Sequence, residues 1–258
     1  MGLQEEKMDA RNMTPQRTLV AVLLFAVFEW PVVAQPKPRP IAFRGIHFFI
    51  FDVNPGQKVT VVLKRGARGS DYGQISYLAV DSKSRTLVEG QNVEGETPIK
   101  FTVPEDAGDV AALMVKGGRN WYVVEKPSAP CIVRADRLIP VHVTGDAAPF
   151  YFFVPEGTKG FRVYVICESL REGATVRILR PDGTEAAKMT AQFDKAKPLE
   201  VRGVGGKPGV WAIQLEHPRK HGADFSLDDV NLFFSKNLPP FLALDRSALP
   251  GLIGRHPE

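Results

Sequence analysis

The sequence predicts an all-β fold of two tandem antiparallel β-sandwich domains that follow a signal peptide. Three observations lead to this prediction: apolar and polar residues alternate in many short segments, Gly, Pro and Asp separate these segments, and one order of segments occurs twice. Hardly any window of eleven or more residues shows apolar residues at the spacing of a helix. Strands that recur every ~10–15 residues with turn residues between them favour sandwiches over strand–helix–strand units.

The N-terminal segment predicts export. The apolar run LVAVLLFAVF, residues 19–28, is shorter than a transmembrane helix requires, and EWPVVAQ follows it. We interpret residues 1–34 as a signal peptide, so that the mature chain begins at Gln35. An uncleaved anchor or a buried helix is the alternative, which the charged residue and the proline directly after the run disfavour. The protein is therefore expected to be secreted or periplasmic, with no membrane span after cleavage.

Two copies of one strand order follow the signal peptide. The first begins at Phe48 and the second at Phe150, and each starts with an aromatic strand, a turn containing Pro and Gly, and a strand of alternating apolar residues. The predicted strands lie in segments 48–63, 75–80, 99–108 and 110–115 of the first copy and in segments 150–167, 174–183, 199–204 and 209–216 of the second.

The boundary between the copies is placed near Gly145, where a short break interrupts the apolar alternation. Residues 35–145 then form the first sandwich domain and residues 146–238 the second. Residues 131–149 are interpreted as the linker between the copies, and the first part of this linker alternates like a strand. Residues 239–258 are interpreted as a C-terminal tail, of which a short apolar segment packs over the sandwich before the chain becomes loose.

The second copy carries a longer pattern. The strings F-x-V-P-x-G-T-x-x-F-x-V-x-V, V-R-I-L-x-P-D-G and G-V-W-A-I-Q-L follow one another in residues 152–215. This order resembles the bacterial pre-peptidase C-terminal type of β-sandwich and related jelly rolls, and the first copy resembles it more faintly. The resemblance implies a jelly-roll-like, non-catalytic extracellular module of a kind often attached to an enzyme. We recognise no catalytic domain beside the two copies.

Charge and motifs exclude several functions. The chain carries 33 basic and 29 acidic residues, and no block of Lys or Arg exceeds two residues, so a nucleic-acid partner is not expected. No catalytic residue is nominated, because G-x-S-x-G, H-E-x-x-H and C-x-x-C strings are absent. The sequence therefore favours a binding or scaffold module without a cofactor over an enzyme. The alternative is an accessory protein of an extracellular hydrolase or lyase, with a weak metal or catalytic site in the sandwich loops.

One cluster near the end of the second copy resembles a metal site. His217, His221 and Asp224 could ligate a divalent ion. Ligands four residues apart meet on a helix, however, and Pro218 with Gly222 predicts a hairpin loop instead. A solvated basic loop is the favoured interpretation.

The sequence also leaves calcium binding possible. Asp228, Asp229 and Asp245 could supply carboxylates to it, as oxygen-rich loops of extracellular sandwiches do. No D-x-D-x-D-G string supports such a loop. Acids that face solvent or end a strand are therefore the favoured interpretation.

Aromatic side chains are the candidates for ligand binding, because a flat ring stacks on the apolar face of a sugar. Trp121 and Tyr122 are adjacent in a predicted strand and must point to opposite faces, which leaves one of them for the surface. Tyr72 is a further candidate, whereas Trp211 is in phase with core residues. Ordinary packing is the alternative for each. An extracellular polysaccharide or an envelope protein is the expected partner.

The two cysteines permit one disulfide in an oxidising compartment. Cys167 follows the apolar alternation of its predicted strand and is expected to be buried. Cys131 lies on the other side of the predicted boundary. Two buried free thiols are therefore favoured over a bond between Cys131 and Cys167.

Overall fold

The computed structural model describes residues 40–66, 73–91, 93–145 and 147–249. These residues form sixteen strands and one short 3₁₀ helix, which confirms the all-β prediction. Among the described residues, no helix is long and apolar enough to cross a membrane. The predicted signal peptide, residues 1–34, lies outside the described residues.

The strands follow one another through the whole described chain. In the first half they are β1 (Ala42–Asp52), β2 (Lys58–Arg65), β3 (Ser76–Asp81), β4 (Thr86–Gly90), β5 (Glu96–Thr102), β6 (Val110–Glu125), β7 (Cys131–Arg134) and β8 (Val141–Thr144). In the second half they are β9 (Ala147–Val154), β10 (Gly160–Cys167), β11 (Gly173–Leu179), β12 (Glu185–Gln192), β13 (Lys197–Arg202), β14 (Gly209–Glu216), β15 (Asp229–Phe234) and β16 (Phe241–Ala243). The 3₁₀ helix, Pro218–His221, follows β14.

The predicted strands coincide with observed ones because their alternating apolar residues reach the core. In β2, Val59, Val61 and Leu63 are fully buried while their neighbours are not. Trp211 in β14 is 3% exposed and packs edge to face on Phe161 at 5.3 Å between ring centroids, which confirms its predicted place in the core.

The strand order branches at the pair β1 and β6. These two strands pair with each other along most of their length, and each changes its outer partner midway. The first branch has the order β4-β3-β6-β1-β7-β16-β9-β14-β11-β12, and the second has the order β5-β2-β6-β1-β8-β15-β10-β13. All pairs of named strands are antiparallel in the described chain.

Aromatic contacts show that the two branches pack face to face. Phe152 of β9, in the first branch, lies 5.5 Å from Phe161 of β10 and 5.0 Å from Phe234 of β15, both in the second branch. Phe51 of β1 meets Phe101 of β5 at 6.1 Å. A hydrophobic core therefore fills the space between two antiparallel layers, as in a sandwich.

The segment interpreted as a linker, residues 131–149, differs from that interpretation. It supplies β7 and β8, and both pair directly with β1. The physical reason is its apolar alternation, since Val133, Val141 and Val143 are fully buried. β8 also pairs with β15, so strands from both sides of Gly145 share one layer. The division into two domains at Gly145 stays a prediction.

The first part of the C-terminal segment joins the sheet as a strand, whereas the sequence predicts that it packs over the sandwich. Its apolar residues form β16, which pairs with β7 and, at Ala243, with β9. Leu242 is fully buried there. Residues 250–258 lie outside the described residues.

A local irregularity in β6 determines which of its side chains face the core. Residues 117–120 of β6 lie opposite the single residue Gly45 of β1, whose φ is +86°. Before this segment Leu113 and Val115 are buried, whereas after it Tyr122 and Val124 are buried. The buried positions therefore change from odd to even numbers, and Trp121 is turned outward.

Candidate functional site

The site lies where β1 changes partners. Residues 42–43 pair with β8 and residues 49–51 with β7, which leaves a gap along one edge of β1. The buried imidazole of His47 lies in this gap, and its Nε2 accepts a hydrogen bond from the backbone N–H of His142 at 2.9 Å. The side chain thus replaces a strand carbonyl as the acceptor.

The hydrogen bonds of His47 define its protonation. Its Nε2 is an acceptor, and burial, together with the charge of His142, lowers its pKa from 6.5 to about 3, so the ring is neutral with its proton on Nδ1. That N–H donates to the hydroxyl oxygen of Tyr122 at 2.7 Å. Tyr122 is fully buried, and burial raises its pKa well above the usual value. This pair is a neutral internal link between β1 and β6.

Polar residues meet on the outer face of the second branch. Arg44 of β1 lies directly opposite Trp121 of β6, and Thr144 of β8 lies opposite Asp229 of β15. The Arg44 guanidinium donates through Nη1 to Asp229 Oδ2 in a short ion pair. Arg44 Nε is buried and has no hydrogen-bond partner among the described residues.

His142 lies between two carboxylates on this face. Its Nε2 is 2.9 Å from Asp229 Oδ1, and its Nδ1 is 3.6 Å from Glu168 Oε1. The side chains of His142 and Asp229 are each 10% exposed, whereas that of Glu168 is 58% exposed. Asn231 Nδ2 donates to Glu168 Oε1 at 3.5 Å. We call Arg44, His142, Glu168 and Asp229 the polar cluster.

A set of three carboxylates shares Asp229 with the polar cluster. One oxygen each of Glu172, Asp228 and Asp229 lies within 4.8 Å of the others. Burial raises the pKa of Glu172, and the negative charges of Asp229 and Asp228 raise it further. This part of the molecule therefore concentrates negative charge that Arg44 offsets only in part.

An open pocket of about 270 Å³ lies beside the polar cluster. Its lining residues come from β1, β6, β8 and the loop before β15, and they are Ala42, Arg44, Trp121, Thr144, Gly145, Leu227 and Asp228. The Trp121 ring is half-buried and lies on Gly66, where an added Cβ would come within 1.8 Å of the indole. Gly66 is thus required for the position of the ring.

The predicted ligand-binding residues take different positions. Trp121 lines the pocket, whereas Tyr122 has no surface that a ligand could reach. Tyr72 lies outside the described residues. Of the adjacent residues Trp121 and Tyr122, the tryptophan is therefore the one that a ligand could contact.

The predicted metal ligands after β14 are engaged separately. His217 Nδ1 accepts from the backbone N–H of Arg219 and caps the 3₁₀ helix, while His221 Nε2 is 2.6 Å from Glu216 Oε2. The Asp224 side chain is fully exposed, with Arg219 at 3.8 Å. In the described part of the chain, the donor groups that lie within 4.8 Å of one another do not include this trio.

The three aspartates considered for calcium also separate. Asp228 and Asp229 approach Glu172, as described above. Asp245 instead accepts hydrogen bonds from the backbone and hydroxyl of Ser247 at 2.8 and 2.7 Å. Its carboxylate therefore stabilises the turn after β16.

The cysteines are both free and buried, as favoured from the sequence. Cys131 is in β7 and Cys167 ends β10. Burial raises the pKa of each thiol, so both stay protonated at neutral pH. They act as small apolar side chains rather than as reactive groups.

Sequence reasoning missed three members of the polar cluster. Arg44, His142 and Glu168 stand alone among apolar or turn residues, and no local spacing connects them. The one available signal is His142, which interrupts the buried pair Val141 and Val143 and therefore points to the opposite face of β8.

The polar cluster combines hydrogen-bond donors with carboxylate acceptors. Asp229 orients the imidazole of His142, but no Ser, Thr or Cys side chain of the described chain hydrogen bonds to that ring, so no nucleophile–base pair is formed there. Comparison with models of known protein families gives no match, and comparison with curated proteins gives none either.

Proposed function

We propose that the chain is a secreted or periplasmic, non-catalytic binding module of two tandem sandwich halves, and that its ligand is an extracellular polysaccharide. The apolar run and exit of residues 1–34 support export, and the repeated strand order supports the two halves. The half-buried Trp121 in the pocket is the observation that supports a sugar as the ligand.

The chemistry of the pocket fits a sugar unit. The indole of Trp121 offers a flat apolar surface for the C–H face of a sugar ring. Arg44 and Asp228 line the same pocket, so donors and acceptors for hydroxyl groups lie beside the ring. Its volume of about 270 Å³ is near the lower end of small-molecule pockets, which suits one unit or the end of a glycan chain.

Binding of the purified protein to a panel of bacterial polysaccharides tests this proposal. Trp121→Ala is expected to weaken binding by about tenfold or more, because the stacking surface is removed. Gly66→Ala is expected to act in the same direction by displacing the indole. Tyr164→Ala is the matched control, since Tyr164 is a half-buried aromatic residue of β10 outside the pocket. Equal binding by Trp121→Ala and the unaltered protein would contradict the proposal.

Two alternatives have distinct outcomes. An envelope protein as partner predicts that an envelope fraction binds while purified glycans do not. An accessory role with weak hydrolase or lyase activity is favoured by the contact between His142 and Asp229, which resembles an acid–base pair. Turnover on glycan or peptide substrates that disappears in His142→Gln, with the fold retained, would establish that role instead.

A further inference from the structure

We infer that His142 and Glu168 supply the protein ligands of a divalent transition-metal ion such as zinc, and that Asp229 orients His142 in this site. One donor atom of each residue lies within 4.8 Å of the others, and the three come from β8, from the residue after β10, and from β15. The site is distinct from His217, His221 and Asp224, and the inference is independent of the proposed ligand of the pocket.

The imidazole ring of His142 is oriented by Asp229. Its Nε2–H donates to Asp229 Oδ1 at 2.9 Å, so the ring nitrogen that could bind a metal ion is Nδ1. This nitrogen is directed towards Glu168 Oε1, and it has no hydrogen bond in the described part of the chain. A buried imidazole lone pair that faces a carboxylate oxygen is unfavourable unless a cation lies between them.

The separation of these two atoms favours a metal ion over a proton. A charge-assisted N–H···O hydrogen bond spans about 2.7–2.9 Å, which is well below the observed 3.6 Å. Two ligands held at about 2.0–2.1 Å from one tetrahedral ion lie roughly 3.3 Å apart. A shift of a few tenths of an ångström in the exposed Glu168 side chain therefore produces the metal geometry.

The surroundings of His142 match those of metal-binding histidines. Such residues usually donate their second ring N–H to a carboxylate, which fixes the ring and raises its basicity, and Asp229 takes this role here. Arg44 fixes Asp229 from the other side. Gly45 has no side chain, and an added Cβ there would lie 3.7 Å from Nδ1, so the space beside this nitrogen stays open.

The donor set indicates the class of ion. An imidazole nitrogen with a carboxylate oxygen suits zinc and its neighbours, whereas calcium and magnesium prefer oxygen ligands alone. The side chain of Glu168 is 58% exposed, which gives the ion a path from solvent and leaves room for a bound water.

Titration of the chelator-treated, full-length protein with zinc chloride, followed by calorimetry, tests the inference. We expect one ion per chain and a weaker response to calcium chloride. Glu168→Gln is expected to reduce zinc affinity by at least about tenfold, because a charged ligand becomes a neutral amide. Glu156→Gln is the matched control, since Glu156 is an exposed acid outside the cluster, and it should bind as the unaltered protein does.

Two further variants make the result specific. His142→Gln should abolish stoichiometric zinc binding, and circular dichroism shows whether this variant is folded. If His142→Gln unfolds, the result with Glu168→Gln decides. His217→Ala should leave binding unchanged. The inference is overturned by the absence of stoichiometric zinc binding, by unchanged binding in Glu168→Gln, or by loss of binding in His217→Ala. Polysaccharide binding by Trp121→Ala is a separate measurement, so either proposal can fail alone.

Discussion

At the scale of single residues, the pair His47 and Tyr122 is a polar contact inside the core. Both residues are fully buried, and their hydrogen bond of 2.7 Å connects β1 with β6 beside the irregular segment. Buried polar groups need partners, because an unpaired donor loses its hydration without replacement. The pair therefore holds the two central strands together at the point where their regular pairing is interrupted.

Tyr122→Phe tests this role. It removes the acceptor of the His47 N–H and leaves a buried donor unpaired, so the free energy of unfolding should fall by about 1–3 kcal/mol. Urea denaturation followed by circular dichroism measures the change. Tyr164→Phe, at a half-buried tyrosine of β10, is the control and should change stability by less than about 0.5 kcal/mol. Equal effects in the two variants would mean that the His47 contact adds nothing to stability.

At the scale of elements, the sequence predicts where strands lie better than which way they face. The alternation of Val59, Val61 and Leu63 is enough for β2, because each buried position repeats at period two. β6 also alternates, but continuing its odd buried positions would bury Trp121 and expose Tyr122. The structure has the reverse arrangement, since residues 117–120 stand against one residue of β1. Such a bulge depends on the partner strand, which local sequence does not contain.

The turn between β3 and β4 gives a pH-dependent prediction. Asp81 is buried, and burial alone would raise its pKa, but hydrogen bonds from the backbone and side chain of Arg85 and from the backbone of Lys83 outweigh it and lower the pKa. A carboxyl group whose pKa is lowered by folding contributes stability above its unfolded pKa of about 3.9, and this contribution is lost as pH falls through the folded value.

Asp81→Asn should therefore destabilise the protein at pH 7 and have a smaller effect at pH 3. Urea denaturation at both pH values measures the difference between the variant and the unaltered protein. Asp194→Asn, at an exposed aspartate, is the control for general effects of removing one charge. An effect of Asp81→Asn that is the same at both pH values would mean that the ionised carboxylate is not what stabilises the turn.

At the scale of the whole molecule, both branches of the strand order pass through both halves of the chain. β8 and β15 belong to different predicted domains and yet pair with each other, and β7 of the first predicted domain pairs with β16 of the predicted tail. The candidate site was not predictable for the same reason, because its residues come from β1, β6, β8 and β15 and meet only through the order of these strands. Of its members, the sequence indicated only Trp121, Asp228 and Asp229.

This strand order predicts one cooperative unfolding transition. Loss of β8 or β7 would remove partners from strands of both halves, so neither half should unfold alone. Trp121 and Trp211 report on the two halves, and tryptophan fluorescence, far-UV circular dichroism and calorimetry should give one midpoint. Two separated transitions would show that the halves before and after Gly145 are independent domains.

The irregular segment of β6 also determines how the lining of the pocket can change in descendants of this protein. The number of residues in 117–120 decides whether Trp121 or Tyr122 faces the pocket, because each added or removed residue exchanges the two faces of the strand. A deletion of one residue there would turn Tyr122 outward and Trp121 inward together. A single-codon insertion or deletion in this segment therefore changes which aromatic side chain lines the pocket, without any substitution in the pocket itself.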